Sequence, residues 1–280
     1  MTWIPFDIAW QPIVLIKDYP TLPPFPVAAG QIQLQPPDGQ DLATWWDTQL
    51  AMGQADFAQG QLELRLEPFM QEMARVRRWH LSLHPQVPPA TRTWLPFWNE
   101  EGLALNWVYE VPVDQEVSDL VWNEMELARR ARRIGEVEPR IAGSHVGRQG
   151  LTVTLAEALN TAPFTVLLLD PAVTDGLSNR LGVPGNEAQD ARFYALWHFM
   201  EALRPDLPVV ATGINTVEAC KAVHACGVAY GQGDLWLPST PLAETFTRHI
   251  PPEDPDWYPD KIYQTAEGWC AGHGLDLGWD

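Results

Sequence analysis

Short apolar runs alternating with longer stretches of helical spacing constrain this chain more than any other feature. The runs are "FDIAWQPIVLI", "GQIQLQ", "RWHLSLHP", "ALNWVYEVP", "PRIAGSHV", "TVLLLDP", "LPVVATGI" and "VAYGQGDLWL". Several leave no face for water, as the strands of a parallel sheet covered by helices do. Of the amphipathic stretches, "DLATWWDTQLAMGQADFAQ" and "QLELRLEPFMQEMARVRRW" precede the third run. "DQEVSDLVWNEMELARRARRIG" follows the fourth, "NEAQDARFYALWHFMEALRP" the sixth and "NTVEACKAVHACG" the seventh. Eight strands with interleaved helices in 280 residues predict an α/β fold, a (β/α)8 barrel. A doubly wound open sheet is the alternative, but no GxGxxG follows the first strand. The barrel is expected to occupy residues 1–247. Residues 248–280 turn Pro- and acid-rich with three tryptophans, and read as a tail packed on the barrel or extending from it.

The formal net charge is −18, and only Lys17, Lys221 and Lys261 are lysines. Such a surface repels nucleic acid and anionic membranes, so neither is an expected partner. The basic run "ARRARRIG" reads as the solvated end of a helix, near the negative pole of its own dipole. Cys220, Cys226 and Cys270 form no CxxC and leave an odd count, which suggests free thiols in a reducing, cytoplasmic setting. The first residues, "MTWIPFDIAW", carry no signal-peptide pattern, and no apolar stretch approaches the roughly 20 residues that span a bilayer.

In a parallel barrel the chemistry sits at the C-terminal ends of the strands. The residues predicted there are Gln31 to Gln35, Ser82 and His84, Glu110, Ser144 and His145, Asp170, Thr212 and Asn215, and Gln232 and Asp234. This is a polar rim with few acids. Two-metal hydrolysis needs several convergent carboxylates to hold two hard cations. Asp170, followed by proline, reads as a helix cap, and Gly233 as a tight turn or close backbone approach. His80 and His84 lie about 13 Å apart along an extended strand and cannot share one ion there.

The opening "AWQPIVLIKD" resembles the first strand of EAL-domain proteins, the cyclic di-GMP phosphodiesterases. "VVATGINTVEACKAVHACGVAYGQGDLWLPSTPL" is similar to the family's close, and "PFTVLLLDPAV" to the strand that normally reads Lys-Ile-Asp. The resemblance covers roughly residues 5 to 247. It implies an eight-stranded barrel with one antiparallel strand, and an ancestral metal-dependent hydrolysis of cyclic di-GMP. It also implies which positions have been substituted. The signature Glu falls on Gln31 or Ile32, depending on register, and a metal-binding Asn on Ser82. A second acid of the fourth strand falls on Val113. An Asp-Asp pair falls on Ser144 and His145, or in a shifted register on Gly147 and Arg148. The catalytic Lys falls on Leu168, and two late acids on Thr212 and Asn215. Gln11, Glu110, Asp170, Gln232 and Gly233 still match.

The expected protein is therefore a degenerate, catalytically inactive EAL-like domain, a signalling or protein-interaction module with no catalytic set and no metal. Mg or Mn would enter only if activity were retained. A protein partner is expected. The alternatives are a cyclic di-GMP receptor using Gln11, Gln232 and Arg148, or a single-metal hydrolase built on His84, His145, Glu110 and Asp170. The rewritten loop "HVGRQGLT" argues against the family's dimer.

Overall fold

The computed structural model of the chain describes residues 3–16, 23–76, 78–82, 85–86, 106–116, 119, 122–123, 140–177, 187–246 and 265–277. His84, the basic run at 128–135 and residues 248–264 of the tail lie outside them. All eight expected strands form: β1 (Asp7–Leu15), β2 (Phe25–Gln35), β3 (Arg78–Ser82), β4 (Asn106–Pro112), β5 (Arg140–Val146), β6 (Val166–Leu169), β7 (Val209–Ala211) and β8 (Tyr230–Gly231). β2 through β8 pair in sequence order, all parallel. β1 closes the cylinder by pairing antiparallel with both β2 and β8. The result is the closed barrel that the pattern of runs predicted, with the one antiparallel strand that the resemblance implied. Two short strands extend it: β9 (Thr240–Pro241) lies against β1, and β10 (Leu275–Asp276) runs parallel to the start of β2.

The helices among the described residues are α1 (Leu42–Ala51), α2 (Ala55–Leu66), α3 (Met70–Met73), α4 (Val153–Thr161), α5 (Pro171–Thr174), α6 (Glu187–Leu203), α7 (Val217–Ala225), α8 (Leu242–Phe246) and α9 (Ala266–Gly272). Two boundaries differ from the amphipathic reading. The break between α1 and α2 falls at Met52–Gln54, where Gly53 adopts a left-handed φ of 65° and stops the first helix. α4 was not anticipated; Thr152 caps it by accepting from the Leu155 N–H. Among the described residues no helix is long and apolar enough to cross a membrane.

Two apolar layers follow from strand alternation. Outward-facing residues such as Trp10, Ile32, Trp79, Leu81, Tyr109 and Leu167 meet the helices in the main core. Inward-facing Ile13, Ala29, Val108, Ala142, Leu168 and Val210 fill the cylinder itself. Two residues on along each of these strands the same inward face turns polar, with Gln31, Glu110, Ser144, Asp170 and Thr212, and Gln11 two residues back on antiparallel β1. A layer of small and medium apolar side chains thus forms the floor of a polar rim.

Candidate functional site

The rim encloses a cleft of about 320 Å³. Gln11, Gln31, Gln33, Ser82, Glu110, Ser144, His145, Leu168, Asp170, Thr212, Asn215, Gln232, Gly233 and Asp234 are among its lining. Most rim positions expected from the sequence therefore converge on one place. Gln31 and Gln33 face it from β2, whereas Ile32 points the other way and is buried against the helices.

Glu110 anchors the floor and is 1% exposed. Its two oxygens each lie 2.9 Å from the Gln31 amide nitrogen, which donates to both. Ser82 Oγ donates to Oε2 at 2.5 Å, and His80 Nδ1 lies 3.1 Å from Oε1. The β3–β4 register, which pairs Ser82 with Glu110, places these groups. Burial pushes the Glu110 carboxyl up, but the bonds from His80, Ser82 and Gln31 outweigh it and hold the group below its ordinary value.

From Gln31 an amide network spreads across the rim. Its Oε1 accepts from Gln232 at 2.6 Å and from Gln33 at 3.2 Å. Gln33 also donates to Gln11 Oε1 at 3.3 Å, and Gln11 donates to Asp234 Oδ1 at 3.1 Å and to the Leu237 carbonyl at 3.0 Å. Gln33 falls within the stretch expected at the rim, whereas His80 was assigned no place there. The signal was available, because His80 lies two residues before Ser82 on an alternating strand.

The opposite wall is built on Asp170. Its Oδ1 caps α5 through the Ala172 N–H at 2.9 Å, as the Asp-Pro dipeptide suggested. Oδ2 takes Arg148 Nε at 2.7 Å. Burial opposes ionisation, yet contacts with His145, the Ala172 N–H and Arg148 hold this carboxyl far below the usual carboxylate range. His145 Nδ1 lies 2.6 Å from Arg148 Nη2 and 3.2 Å from Asp170 Oδ2. Arg148 reaches both His145 and Asp170 and is the hub of this wall. Arg148 also lies 3.6 Å from Asp114. It is therefore an ion-paired side chain that stays partly exposed. His145 holds a left-handed φ of 58°, uncommon for a non-glycine residue.

Two of the other positions expected to be substituted, Thr212 and Asn215, have structural partners. Thr212 Oγ1 donates to the Leu169 carbonyl, and Asn215 Oδ1 accepts from the Asp234 N–H. Leu168 sits in the apolar layer under the cleft. Gly233 is forced by close approach, since a Cβ there would lie 2.2 Å from the Ile214 carbonyl oxygen. Among the described residues no three of His, Cys, Asp and Glu are placed to share a metal ion.

No protein-family model and no curated protein sequence matches this chain. Solved structures do. The FimX EAL domain from Pseudomonas aeruginosa bound to c-di-GMP is 12% identical, with 86% of this chain and 93% of that one covered, at a TM-score of 0.58. The Klebsiella pneumoniae BlrP1 complex with calcium and c-di-GMP is 17% identical over 85% of this chain, at 0.61. The EAL enzyme Bd1971 in a cAMP-bound form is 15% identical over 85% of this chain, at 0.53. This chain spans only 56% of the length of the BlrP1 chain and 63% of the Bd1971 chain. At these identities the likeness establishes the fold, an EAL-type barrel.

Proposed function

We propose that this EAL-type barrel is catalytically inactive toward cyclic di-GMP and works by binding, as a protein-interaction module in signalling. The observation that carries the reading is the closure of Glu110. In a metal-dependent phosphodiesterase a carboxylate at this position would offer its oxygens to a hard cation. Here the Gln31 amide donates to both oxygens, and Ser82 and His80 take the remaining positions. Asp170 is likewise committed, to a helix cap and to Arg148. Mg²⁺ or Mn²⁺ binds through converging carboxylates with waters and substrate phosphates. The residues present do not fit such an ion, because hydrogen-bond donors aim at the deeply buried carboxylate of the floor. No step of hydrolysis is therefore assigned to this chain.

A second reading has support of its own. The cleft persists, Gln11 and Gln232 line it, and the FimX and BlrP1 structures are complexes with c-di-GMP. A receptor that binds the dinucleotide without cleaving it would use those amides. Two phosphates entering a protein of net charge −18 without a screening cation weigh against it.

Calorimetric titration of cyclic di-GMP with Mg²⁺ or Mn²⁺ present, followed by chromatography of the nucleotide, tests both readings. The expected result is a flat trace and intact nucleotide. A saturable isotherm with intact nucleotide would move the assignment to the receptor. Sustained heat with a linear dinucleotide product would overturn both.

A further inference from the structure

The direction of the hydrogen bonds in the cleft decides what it can still bind. Glu110 only accepts, so it turns the Gln31 amide to present N–H groups downward and Oε1 upward. That orientation propagates. Gln33 spends both N–H bonds on Gln31 and Gln11, and Gln11 spends both of its own on Asp234 and Leu237. Gln232 spends one on Gln31. What the network leaves to a ligand on this wall is three acceptors, the Oε1 atoms of Gln33 and Gln232 and the second carboxylate oxygen of Asp234, beside one donor, the second N–H of Gln232. No described residue donates to any of the three acceptors. Gln232 is 3% exposed and Gln33, Gln232 and Asp234 are drawn together by their shared partners Gln31 and Gln11. Ser144, 7% exposed on the same lining, has a hydroxyl without a protein partner among the described residues.

The electrostatics point the same way. Asp170 is paired with Arg148, whereas Asp234 has the neutral Gln11 amide as its side-chain partner and no cationic side chain against it among the described residues. A concave site with unspent acceptors and uncompensated negative charge focuses cations.

We propose that the wall formed by Gln33, Gln232 and Asp234 is a binding site for an organic cation, a guanidinium or primary ammonium group. This rests on the non-hydrolytic reading above and specifies the partner's chemistry. A planar guanidinium, with five N–H donors in a fixed fork, suits several acceptors held side by side. Two sources carry this chemistry: a basic side chain of a partner protein, or a free small amine. The net charge of −18 gives a basic partner the longer-range attraction.

The test titrates full-length protein with agmatine, with acetyl-Gly-Arg-Gly-amide, and with the same peptide carrying citrulline, a neutral side chain of nearly the same shape. Cyclic di-GMP hydrolysis is assayed in parallel. Saturable binding of the arginine peptide is expected, weakened by added salt. The citrulline peptide and the Asp234→Asn variant should each bind at least about tenfold more weakly. Asp234→Asn keeps an oxygen for the Gln11 donor and changes an exposed side chain, so folding is preserved. Arginine peptide binding at least as tightly as agmatine assigns the site to a protein side chain; the reverse order assigns it to a free amine. Equal affinity for the citrulline peptide, an unaffected Asp234→Asn variant, or no saturation of any cation by about 10 mM overturns the proposal. Hydrolysis of the dinucleotide would overturn the non-hydrolytic reading, while these titrations would still decide the cation site.

Discussion

Replacing Gln31 by glutamate probes the electrostatics of the rim most directly. In the native chain the Gln31 amide donates to both Glu110 oxygens. Gln31→Glu puts a carboxylate oxygen where that nitrogen stood, so two anions meet in a buried site. At the native separation of 2.9 Å two unit charges repel by about 6 kcal/mol with an effective dielectric of about 20. The pair can escape by sharing a proton. Holding a proton at pH 8 on a carboxyl of ordinary pKa about 4.3 costs about 5 kcal/mol. The cheaper route sets the deficit, about 5 kcal/mol at pH 8. The folded pair then binds a proton that the unfolded chain lacks, so stability falls as pH rises, by about 1.4 kcal/mol per unit. At pH 5.5 the deficit shrinks to about 1–2 kcal/mol by the same relation. Each kcal/mol lowers Tm by about 2–4 °C in a domain near this size. Thermal unfolding followed by circular dichroism in a chelator should therefore show a Tm lowered by about 10–20 °C at pH 8 and by only a few degrees at pH 5.5. Excess Mn²⁺ without chelator should restore much of the loss, because a cation between two carboxylates replaces the missing donor. A Tm equal to wild type at both pH values would refute the placement of Gln31 against Glu110.

Two further changes test the framework around the cleft. Gly233→Ala drives a Cβ to 2.2 Å from the Ile214 carbonyl oxygen and 2.4 Å from its nitrogen. The Ile214 N–H bond to the Gln232 carbonyl and the Leu235 N–H bond to the Ile214 carbonyl should break. A loss of about 2–4 kcal/mol is expected, read as a lower urea midpoint, and an unchanged midpoint would mean that the loop moves aside at no cost. Asp170→Asn keeps the cap on α5 but removes the charge beside Arg148. Because the native carboxyl is held far below the usual range, its stabilisation is complete above the unfolded carboxylate pKa and is lost as pH falls below it. Wild type should therefore lose more stability than the variant between about pH 4.5 and 2; parallel acid limbs would remove Asp170 as a source of acid sensitivity.

The barrel was legible because its strands are short, apolar and separated by helical spacing, and that pattern survives whatever happens at the rim. One antiparallel strand followed from the family resemblance; that it is β1 comes from the structure. The site was legible only in outline. Alternation places Gln31 and Gln33 on one face, yet it cannot say whether residue 31 or 32 looks inward; that depends on the pairing of Gln11 with Gln31 and of Gln31 with His80. Arg148 shows the other limit. A glycine-flanked arginine in a loop reads as solvated, and its ion pair with Asp170 depends on β5 and β6 ending side by side. The break at Gly53 was missed for a simpler reason: apolar spacing runs through it, and only the left-handed backbone ends the helix.

On the proposed non-hydrolytic reading, the chemistry of the rim gives a physical reason for acids to be replaced as a set. A ring of carboxylates around metal ions is stable only while the cations are bound. Remove the ions and the acids repel one another across distances near 3 Å, which a buried site cannot screen. Neutral side chains that donate as well as accept remove the repulsion and supply hydrogen bonds in its place. Gln31, Ser82 and His80 do this around Glu110, and Gln11, Gln33 and Gln232 extend it. Under this logic the buried Glu110 is not a remnant of catalysis. It is the acceptor that orients every amide above it, since a neutral residue in its place would leave the Gln31 dipole free to turn. Glu110→Gln should accordingly leave the cleft's residues in position while releasing the direction of their hydrogen bonds. The measurable sign is a spread of side-chain amide resonances for Gln31, Gln33 and Gln232 into more than one environment each, where the wild-type protein should show one. Single, unshifted resonances in the variant would mean that packing, and not the buried charge, sets the polarity of the cleft.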